Sequence, residues 1–255
     1  MRDPLVSIVM PAYNAMKYLP SAIASVMCQT WENWELCIVD DASADETGAY
    51  LDSLQDPRIR VFHNEINRGT AYSRNRGIHE AKGGWIAFLD SDDMWREDKL
   101  EKQIAVIENY PDAALVFTGS AFIDDNGNQM KYTLQVPEKI SYQDILPQNL
   151  ISCSSVVVRK ELLLKHPFPG AEKVHEDFAV WLQILREIDH AYGVDEPLLI
   201  YRLAMNSRSR NKLKAARMNW NTYRYAGIGF LQAAASMCGY TIRGLKKYNA
   251  LRKKV

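Results

Sequence analysis

The sequence predicts an α/β fold, namely a three-layer α/β/α sandwich with a mostly parallel central sheet and a C-terminal helical extension. Three observations support this prediction. Short apolar runs alternate with helical stretches in the N-terminal part of the chain, which is typical of parallel strands joined by crossover helices. Two of these runs end in acidic residues, and ligand sites of open sheets form at the carboxyl ends of strands. The charge composition then changes near residue 205.

The first four strands are predicted from apolar runs of strand length that are rich in β-branched residues. These runs cover 5–10, 34–39, 58–62 and 85–89. Helices are predicted over 15–29, after the cap residues Ser43 and Asp45, and from the loop 67–69 to Lys82. Each helix therefore lies between two strands, as a crossover connection requires.

The later elements follow the same kind of pattern. They are a helix over 97–110, a strand over 114–119, a hairpin around Asp125-Asn126-Gly127, a strand over 153–158, an amphipathic helix from 175–177 and a strand over 198–201. From Lys212 onward we predict a long helix that is broken near Gly227 and Gly239.

Charge is distributed unevenly along the 255 residues, although the formal net charge is zero. Residues 202–255 contain 13 Lys and Arg and no acidic residue, so the rest of the chain is acidic. We therefore divide the chain into a main domain, 1–205, and a basic amphipathic tail, 206–255. No apolar run approaches the ~18 residues of a membrane-spanning helix, and the N-terminus shows no signal peptide. These features predict a cytoplasmic location.

Three acidic residues, Asp90, Asp92 and Asp93, directly follow the predicted strand 85–89. Carboxylates this close repel one another, and a divalent cation with oxygen ligands would offset their charge. The alternative is a solvated turn before the helix that starts near Glu97, since aspartate is common at helix N-caps. The chain contains neither GxGxxG nor GxxxxGK[ST]. Any bound nucleotide would therefore have its phosphates neutralised by a metal and basic side chains.

Five stretches, in this order and spacing, resemble the family 2 inverting glycosyltransferases, which have the GT-A fold. The stretches are Val6-Ser-Ile-Val-Met-Pro-Ala-Tyr-Asn14, Ile38-Val-Asp-Asp-Ala-Ser43, Asn67-Arg-Gly-Thr-Ala-Tyr-Ser-Arg-Asn75, Phe88-Leu-Asp-Ser-Asp-Asp93 and Glu176-Asp177. Within the family, Asp177-Phe-Ala-Val-Trp-Leu and Tyr201-Arg202 with Asn211-Lys-Leu-Lys-Ala-Ala look similar to enzymes that build bacterial teichuronic acid, O-antigen or capsule.

The resemblance implies a UDP-sugar donor and assigns residues to its parts. Asp41, with Pro11 and Tyr13, would hold the uracil or nucleoside, and Asp41 ranks above its neighbour Asp40. The diphosphate would lie near Arg68, Arg74 and Arg202, although a surface salt bridge is an alternative role for Arg68 and Arg74.

The resemblance also implies a Mn²⁺ or Mg²⁺ ion. Asp92 would ligate this ion, Asp90 would bind the ribose or the metal, and Asp93 would support the ligands. The ion would act as a Lewis acid on the leaving nucleoside diphosphate.

Asp177 is the candidate catalytic base, since inverting transfer needs one carboxylate to take the proton of the acceptor hydroxyl. Glu176 is adjacent and could exchange roles with it. Alternatively, both acids stabilise the N-terminus of a helix. One departure from the family concerns Ala204, which stands where members often carry a histidine near the metal. Arg202, Ser207, Arg208 and Ser209 remain in this segment as candidates to hold the diphosphate.

The basic tail has two interpretations. A cationic amphipathic helix can lie on an anionic membrane, at the cytosolic face of the inner membrane, where a polyprenyl-linked or oligosaccharide acceptor would be found. The alternative is packing on the main domain. Nucleic-acid binding is not expected, because the basic residues alternate with apolar helix positions and the remaining body is acidic.

The sequence therefore predicts a metal-dependent inverting hexosyltransferase that moves one sugar from a UDP-sugar to a glycan acceptor. A non-catalytic scaffold subunit of a polysaccharide assembly complex is the second interpretation, favoured by Ala204 alone. A nucleotidyltransferase is the third, and it lacks support because Pro11-Ala-Tyr-Asn14 replaces the glycine-rich loop of those enzymes.

Overall fold

The computed structural model describes residues 4–170, 174–203 and 212–240. These residues form one sheet that contains ten strands. The strands are β1 (Val6–Ala12), β2 (Trp34–Asp40), β3 (Ile59–His63), β4 (Trp85–Phe88), β5 (Met94–Trp95), β6 (Leu115–Ile123), β7 (Gln129–Leu134), β8 (Lys139–Ile140), β9 (Val157–Arg159) and β10 (Ala191–Arg202).

The sheet runs in the order β3-β2-β1-β4-β9-β6-β10-β5, with β7 paired to β6 and β8 paired to β10. The longest ladders, β1 with β2 and β6 with β10, are parallel, and β9 is antiparallel to both of its neighbours. Strands β2 and β4 lie on either side of β1, and both run parallel to it. Their carboxyl ends consequently lie side by side at one edge, where the acidic residues of the sequence are found.

Helices cover both faces of the sheet. They are α1 (Leu19–Met27), α2 (Thr47–Asp52), α3 (Thr70–Glu80), α4 (Lys99–Asn109), α5 (Tyr142–Ile145), α6 (Lys160–Lys165), α7 (Glu176–Ile184) and α8 (Lys212–Tyr225). A further helical stretch occupies 230–240. None of the helices in the described ranges is long and apolar enough to span a bilayer.

The core has two halves because successive strand residues point to opposite faces. Val9 and Phe88 pack with α3, α7 and α8 on one face, while Ile8, Met10 and Leu89 pack with α1, α2 and α4 on the other. All five side chains are fully buried. This is the predicted three-layer sandwich.

Helix α8 and the residues directly after it pack in the half of the core that contains α3 and α7. Tyr223, Ala226 and Ile228 are buried and pack in the cluster that contains Phe178 of α7. Tyr223 donates a hydrogen bond from its hydroxyl to the carbonyl of Leu146, at 2.5 Å. The first part of the basic tail therefore packs on the main domain. The predicted domain boundary at 205/206 lies outside the described residues and stays a prediction.

Several predicted strands have different bounds in the structure, among them 114–119, which is Leu115–Ile123. Cys153–Ser155 forms a 3-10 turn, so strand structure starts only at Val157. The turn forms because the backbone N–H and hydroxyl of Ser155 both donate to the carbonyl of Ser152, at 2.9 and 2.7 Å, which competes with strand pairing. The last strand is longer than predicted, since β10 begins at Ala191.

Candidate active site

A cleft of about 730 Å³ opens at the carboxyl ends of the central parallel strands, beside the N-termini of α3 and α7. Its wall contains eight of the predicted site residues, namely Pro11, Tyr13, Asp41, Arg74, Asp90, Asp92, Glu176 and Asp177. Arg68 and Arg202 do not line it. The fold therefore brings residues that are up to 166 positions apart in the sequence to one place.

Asp41 follows β2 and is held rigidly. One oxygen accepts hydrogen bonds from the Asn64 amide at 2.6 Å and the Arg68 N–H at 3.0 Å, and the other accepts from the Gly69 N–H at 2.7 Å. Gly69 has φ +84°, a conformation that favours glycine and turns this N–H toward the carboxylate. The Asp41 carboxylate is 3% exposed and faces the cleft, so its position is set before any ligand binds.

The loop after β1 forms the neighbouring rim. Pro11 is buried, whereas the ring of Tyr13 is half exposed and provides a face on which a base could stack. Asn14 adopts φ +47° and its side-chain oxygen accepts from the N–H of Ala44 at 2.8 Å. Its own N–H donates to the hydroxyl of Ser43 at 2.9 Å. These bonds fix the rim next to Asp41.

The acidic loop after β4 contains three carboxyl groups in different environments. Asp93 is buried and accepts a hydrogen bond from the Arg202 N–H at 3.0 Å, while its second oxygen has no partner among the described residues. Burial and the neighbouring Asp92 and Asp90 raise the pKa of Asp93 well above its usual range. The buried carboxyl group of Asp93 supports the loop from inside through its bond to the Arg202 N–H.

Asp92 faces the cleft. Burial and the nearby Asp90 raise the pKa of Asp92 to about 6. The negative charge of Asp90 is offset by the guanidinium of Arg74, which contacts its carboxylate at 2.6 Å. Of the two predicted metal ligands, Asp92 is therefore the one that makes no ion pair with a described residue.

A divalent cation fits this place as a site with few protein ligands. Within the described ranges, no group of three or more His, Cys, Asp or Glu side chains lies in metal-binding proximity. Mg²⁺ commonly binds one or two carboxylates and completes its shell with water and substrate phosphates. Asp92, which makes no ion pair with a described residue, suits that arrangement. The remaining ligands would come from a bound diphosphate and water.

Asp177 lies in the first turn of α7 and also lines the cleft. One of its oxygens accepts from the N–H of Phe178 at 2.7 Å, and the other has a long contact of 3.4 Å with the amide of Asn149. Burial, followed by the charge of Glu176, raises the pKa of Asp177 to about 6. A carboxylate with this pKa is ionised at neutral pH and can accept a proton, as a general base must.

Two of the predicted phosphate ligands have other partners. The guanidinium of Arg202 donates to the carbonyls of Asp92 and Asp124, at 3.0 and 3.1 Å, and stacks over the ring of Tyr18. Its contacts fix the acidic loop. The guanidinium of Arg68 lies over the ring of Tyr72, at 4.7 Å. Residues 204–211, which include Ala204, Ser207, Arg208 and Ser209, lie outside the described residues.

Three functional positions were not predicted from the sequence. Asn64 holds Asp41, Asn149 contacts Asp177, and Ser154 accepts from the Asp90 N–H at 3.1 Å. Their partners are 23, 28 and 64 residues away in the chain. Asn64 follows the third predicted strand, and its place at a strand end was the one available signal.

Comparison with known proteins agrees with the fold. The profile of glycosyl transferase family 2 matches residues 7–164. The chain is 37% identical to TuaG of Bacillus subtilis, which is named for teichuronic acid biosynthesis, over 96% of this chain and 97% of that protein. It is 35% identical to WfgD of Escherichia coli, over 97% and 96% of the two chains. WfgD is named as a UDP-Glc:α-D-GlcNAc-diphosphoundecaprenol β-1,3-glucosyltransferase.

Two solved structures share the fold. The Staphylococcus aureus protein TarS, residues 1–349 in complex with UDP-GlcNAc, superposes with a TM-score of 0.73 and 18% identity, over 92% of this chain and 71% of that one. The Pyrobaculum calidifontis mannosyltransferase PcManGT, in complex with GDP-Man and Mn²⁺, gives 0.69 and 15%, over 94% and 69%.

The fold is of the GT-A type, and its acidic cleft lies at the carboxyl ends of the parallel strands. The chain belongs to glycosyl transferase family 2 and is a glycosyltransferase. The enzyme interpretation of the sequence is thereby confirmed, and the scaffold interpretation is not needed.

Proposed function

We propose that this glycosyltransferase transfers one sugar, with inversion, from a UDP-sugar to a polyprenyl-diphosphate-linked glycan in the synthesis of a bacterial surface polysaccharide. The observation that carries the proposal is the single cleft that contains Asp41, Asp92 and Asp177. This reaction requires a group that binds the nucleoside, a carboxylate that can hold a cation and a base. The three candidate residues for these roles face the same space.

UDP is the proposed donor nucleotide because Asp41 presents a pre-positioned carboxylate beside the exposed face of Tyr13. A carboxylate can accept the ring N–H of uracil, and the ring of Tyr13 can stack on the base. Two relatives, WfgD and WfaP of Escherichia coli, are named as enzymes that use UDP-Glc. UDP-glucose is therefore the first donor to test.

The proposed chemistry uses Asp177 as base. Its carboxylate takes the proton of the acceptor hydroxyl, the hydroxyl oxygen forms a bond to the anomeric carbon, and the bond to the UDP oxygen breaks on the opposite face. A Mn²⁺ or Mg²⁺ ion held by Asp92 would offset the charge that develops on the leaving diphosphate. Asn149 and the Phe178 N–H keep the Asp177 carboxylate oriented toward the cleft.

A lipid-linked acceptor is supported by the surface of the C-terminal helices. Phe230 and Leu231 are 65% and 83% exposed, and Tyr225 is half exposed. The chain that follows them, 241–255, contains six basic and no acidic residues. Exposed apolar side chains next to positive charge are typical of contact with anionic membranes. We propose that this edge lies on the cytosolic face of the inner membrane, near the acceptor.

The test of the function is transfer from radiolabelled UDP-glucose to GlcNAc-diphosphoundecaprenol in the presence of Mn²⁺. We expect label in the lipid fraction with β configuration, and Asp177→Asn should bind UDP normally and transfer nothing. Absence of transfer from UDP-glucose, UDP-GlcNAc and UDP-galactose, combined with no Mn²⁺-dependent binding of UDP, would overturn the proposal.

The membrane contact has a separate test. Flotation with vesicles of phosphatidylcholine that contain phosphatidylglycerol should recover the protein, and the double variant Phe230→Ser with Leu231→Ser should stay unbound. Ile66→Ser is the matched control, because Ile66 is 61% exposed and lies elsewhere on the surface. Equal flotation of the double variant and the control would contradict the proposed contact.

A further inference from the structure

Arg74 joins the two acidic walls of the cleft. It lies on α3, and its side chain is only 4% exposed. One terminal nitrogen contacts Asp90 of the acidic loop at 2.6 Å, and the other contacts Glu176 of α7 at 3.2 Å. Glu176 is 102 residues away from Arg74 in the chain, so this bridge is a long-range tertiary contact.

The guanidinium of Arg74 makes one further contact, and its Nε has no hydrogen-bond partner among the described residues. The group lies over the ring of Phe168, 5.4 Å from the ring centroid. Phe168 is itself tied to α3, because its N–H donates to Asn75 at 2.9 Å and its carbonyl accepts from the same amide at 2.9 Å. The guanidinium of Arg74 is therefore almost fully enclosed at the cleft wall, between two carboxylates and an aromatic ring.

These contacts do not suit a phosphate ligand. A guanidinium that binds phosphate directs its terminal nitrogens at the phosphate oxygens. In Arg74 both terminal nitrogens already bind carboxylates that belong to the protein. To reach a diphosphate, the side chain would have to leave two buried ionic partners, which is costly for a group this well enclosed.

We propose that Arg74 is a positioning residue, which sets the placement of the acidic loop relative to the base-bearing N-terminus of α7, and that it does not bind the diphosphate. Asp90 is two residues from Asp92, and Glu176 is adjacent to Asp177. A single rigid guanidinium thereby links the proposed cation site to the proposed base. The inference rests on the proposed function, because it concerns the geometry between donor and acceptor.

The positive charge of Arg74 also helps to hold four carboxyl groups in one cleft. Asp90, Asp92, Glu176 and Asp177 all line the cleft wall, and the guanidinium lies between the two pairs. Without it, like charges repel and both walls lose their common anchor. The expected result is displacement of the base relative to the donor rather than loss of donor contacts.

Arg74→Lys tests this role. A lysine keeps the positive charge but has a single ammonium, which cannot hold two carboxylates in the arrangement of a fork. We expect kcat to fall about 100-fold, the cost typical of an ångström-scale misplacement. The KM for the UDP-sugar and the Kd for UDP with Mn²⁺ should stay within about 3-fold of the wild type.

The chain offers a matched control in Arg60. This arginine also bridges two carboxylates, Glu35 at 3.2 Å and Glu80 at 3.8 Å, but it lies outside the cleft, beside the amino-terminal half of β2. Arg60→Lys removes the same kind of bridge. It should lower Tm without changing kcat, and so it separates loss of stability from loss of positioning.

Two kinetic results would overturn the inference. One is a rise of about 30-fold or more in the Kd for UDP in Arg74→Lys with little change in kcat, as expected when a charged hydrogen bond to phosphate is lost. The other is an equal loss of kcat in Arg60→Lys, which would mean that only stability is involved.

Hydrogen exchange keeps this test independent of the proposed reaction. In Arg74→Lys, amides of 90–93 and 175–179 should exchange faster than in wild type, and those segments should be unchanged in Arg60→Lys. Unchanged exchange in Arg74→Lys would overturn the inference. A wild-type enzyme that transfers no sugar would overturn the proposed function, and the exchange result would still decide the role of Arg74.

Discussion

The pH dependence of kcat provides a direct test of Asp177 as the base. Burial and the charge of Glu176 raise the pKa of Asp177 to about 6. A base must be ionised, so kcat should rise with pH through about 6 and then level off. The sign follows from the role, since a general acid at this position would give the opposite slope.

The size of the effect follows from that pKa. With a pKa near 6, about 90% of the carboxyl groups are ionised at pH 7 and about 10% at pH 5. The rate should therefore fall about tenfold between these two pH values. Glu176→Gln removes the neighbouring negative charge, so it should lower the pKa of Asp177 and move the acidic limb of the profile to lower pH.

The assay must separate Asp177 from Asp92, because burial and Asp90 raise the pKa of Asp92 to about 6 as well. Profiles of kcat should be recorded at saturating donor and acceptor and at two saturating concentrations of Mn²⁺. A bound cation favours ionised Asp92, so a limb that comes from Asp92 moves with Mn²⁺. A limb that comes from Asp177 moves with Glu176→Gln instead.

Two results would refute the reasoning. A limb near pH 6 that stays in place in Glu176→Gln would show that another group titrates. An Asp177→Asn enzyme that retains more than about 1% of wild-type kcat would show that Asp177 is not the base, since general base catalysis contributes about 100-fold or more.

Three further changes test other parts of the site and the fold. Asp92→Ala should remove the effect of Mn²⁺ on UDP binding, measured by calorimetry, and an unchanged Mn²⁺ effect would place the cation elsewhere. Asn64→Ala removes the 2.6 Å hydrogen bond to Asp41 and should raise the Kd for UDP about tenfold. Unchanged affinity would argue against Asp41 as the residue that binds the nucleoside. Tyr223→Ala empties a fully buried position in α8 and should lower the free energy of unfolding by about 3 kcal/mol or more, and a smaller loss in urea titration would mean that α8 packs weakly.

Local patterns in the sequence determined most of the fold. The runs 5–10, 34–39 and 85–89 became β1, β2 and β4 with shifts of one or two residues, because apolar runs bounded by turn residues are a local signal. The family and the class of enzyme also followed from ordered motifs, and the comparisons confirm both. Strand ends that carry acids indicated the edge of the sheet at which the cleft is found.

Where the motifs were short or the signal was ambiguous, specific contacts of the folded chain decided. The run 153–158 has strand composition, yet the hydroxyl of Ser155 closes a 3-10 turn in its first half. The charge of the tail suited both a membrane and the main domain, and the burial of Tyr223 shows that α8 packs on the domain. Neither result could be predicted from the spacing of apolar residues along a helix or a strand.

The sequence by itself determined which residue types line the cleft, and only the tertiary structure decided what each side chain binds. The resemblance to the family implied phosphate binding for Arg74 and Arg202. The fold instead gives Arg74 two carboxylates, one of them 102 residues away, and gives Arg202 the carbonyls of Asp92 and Asp124. The physical reason is that a charged side chain takes the partners that long-range packing places within hydrogen-bond distance, and these are not encoded in its neighbours along the chain.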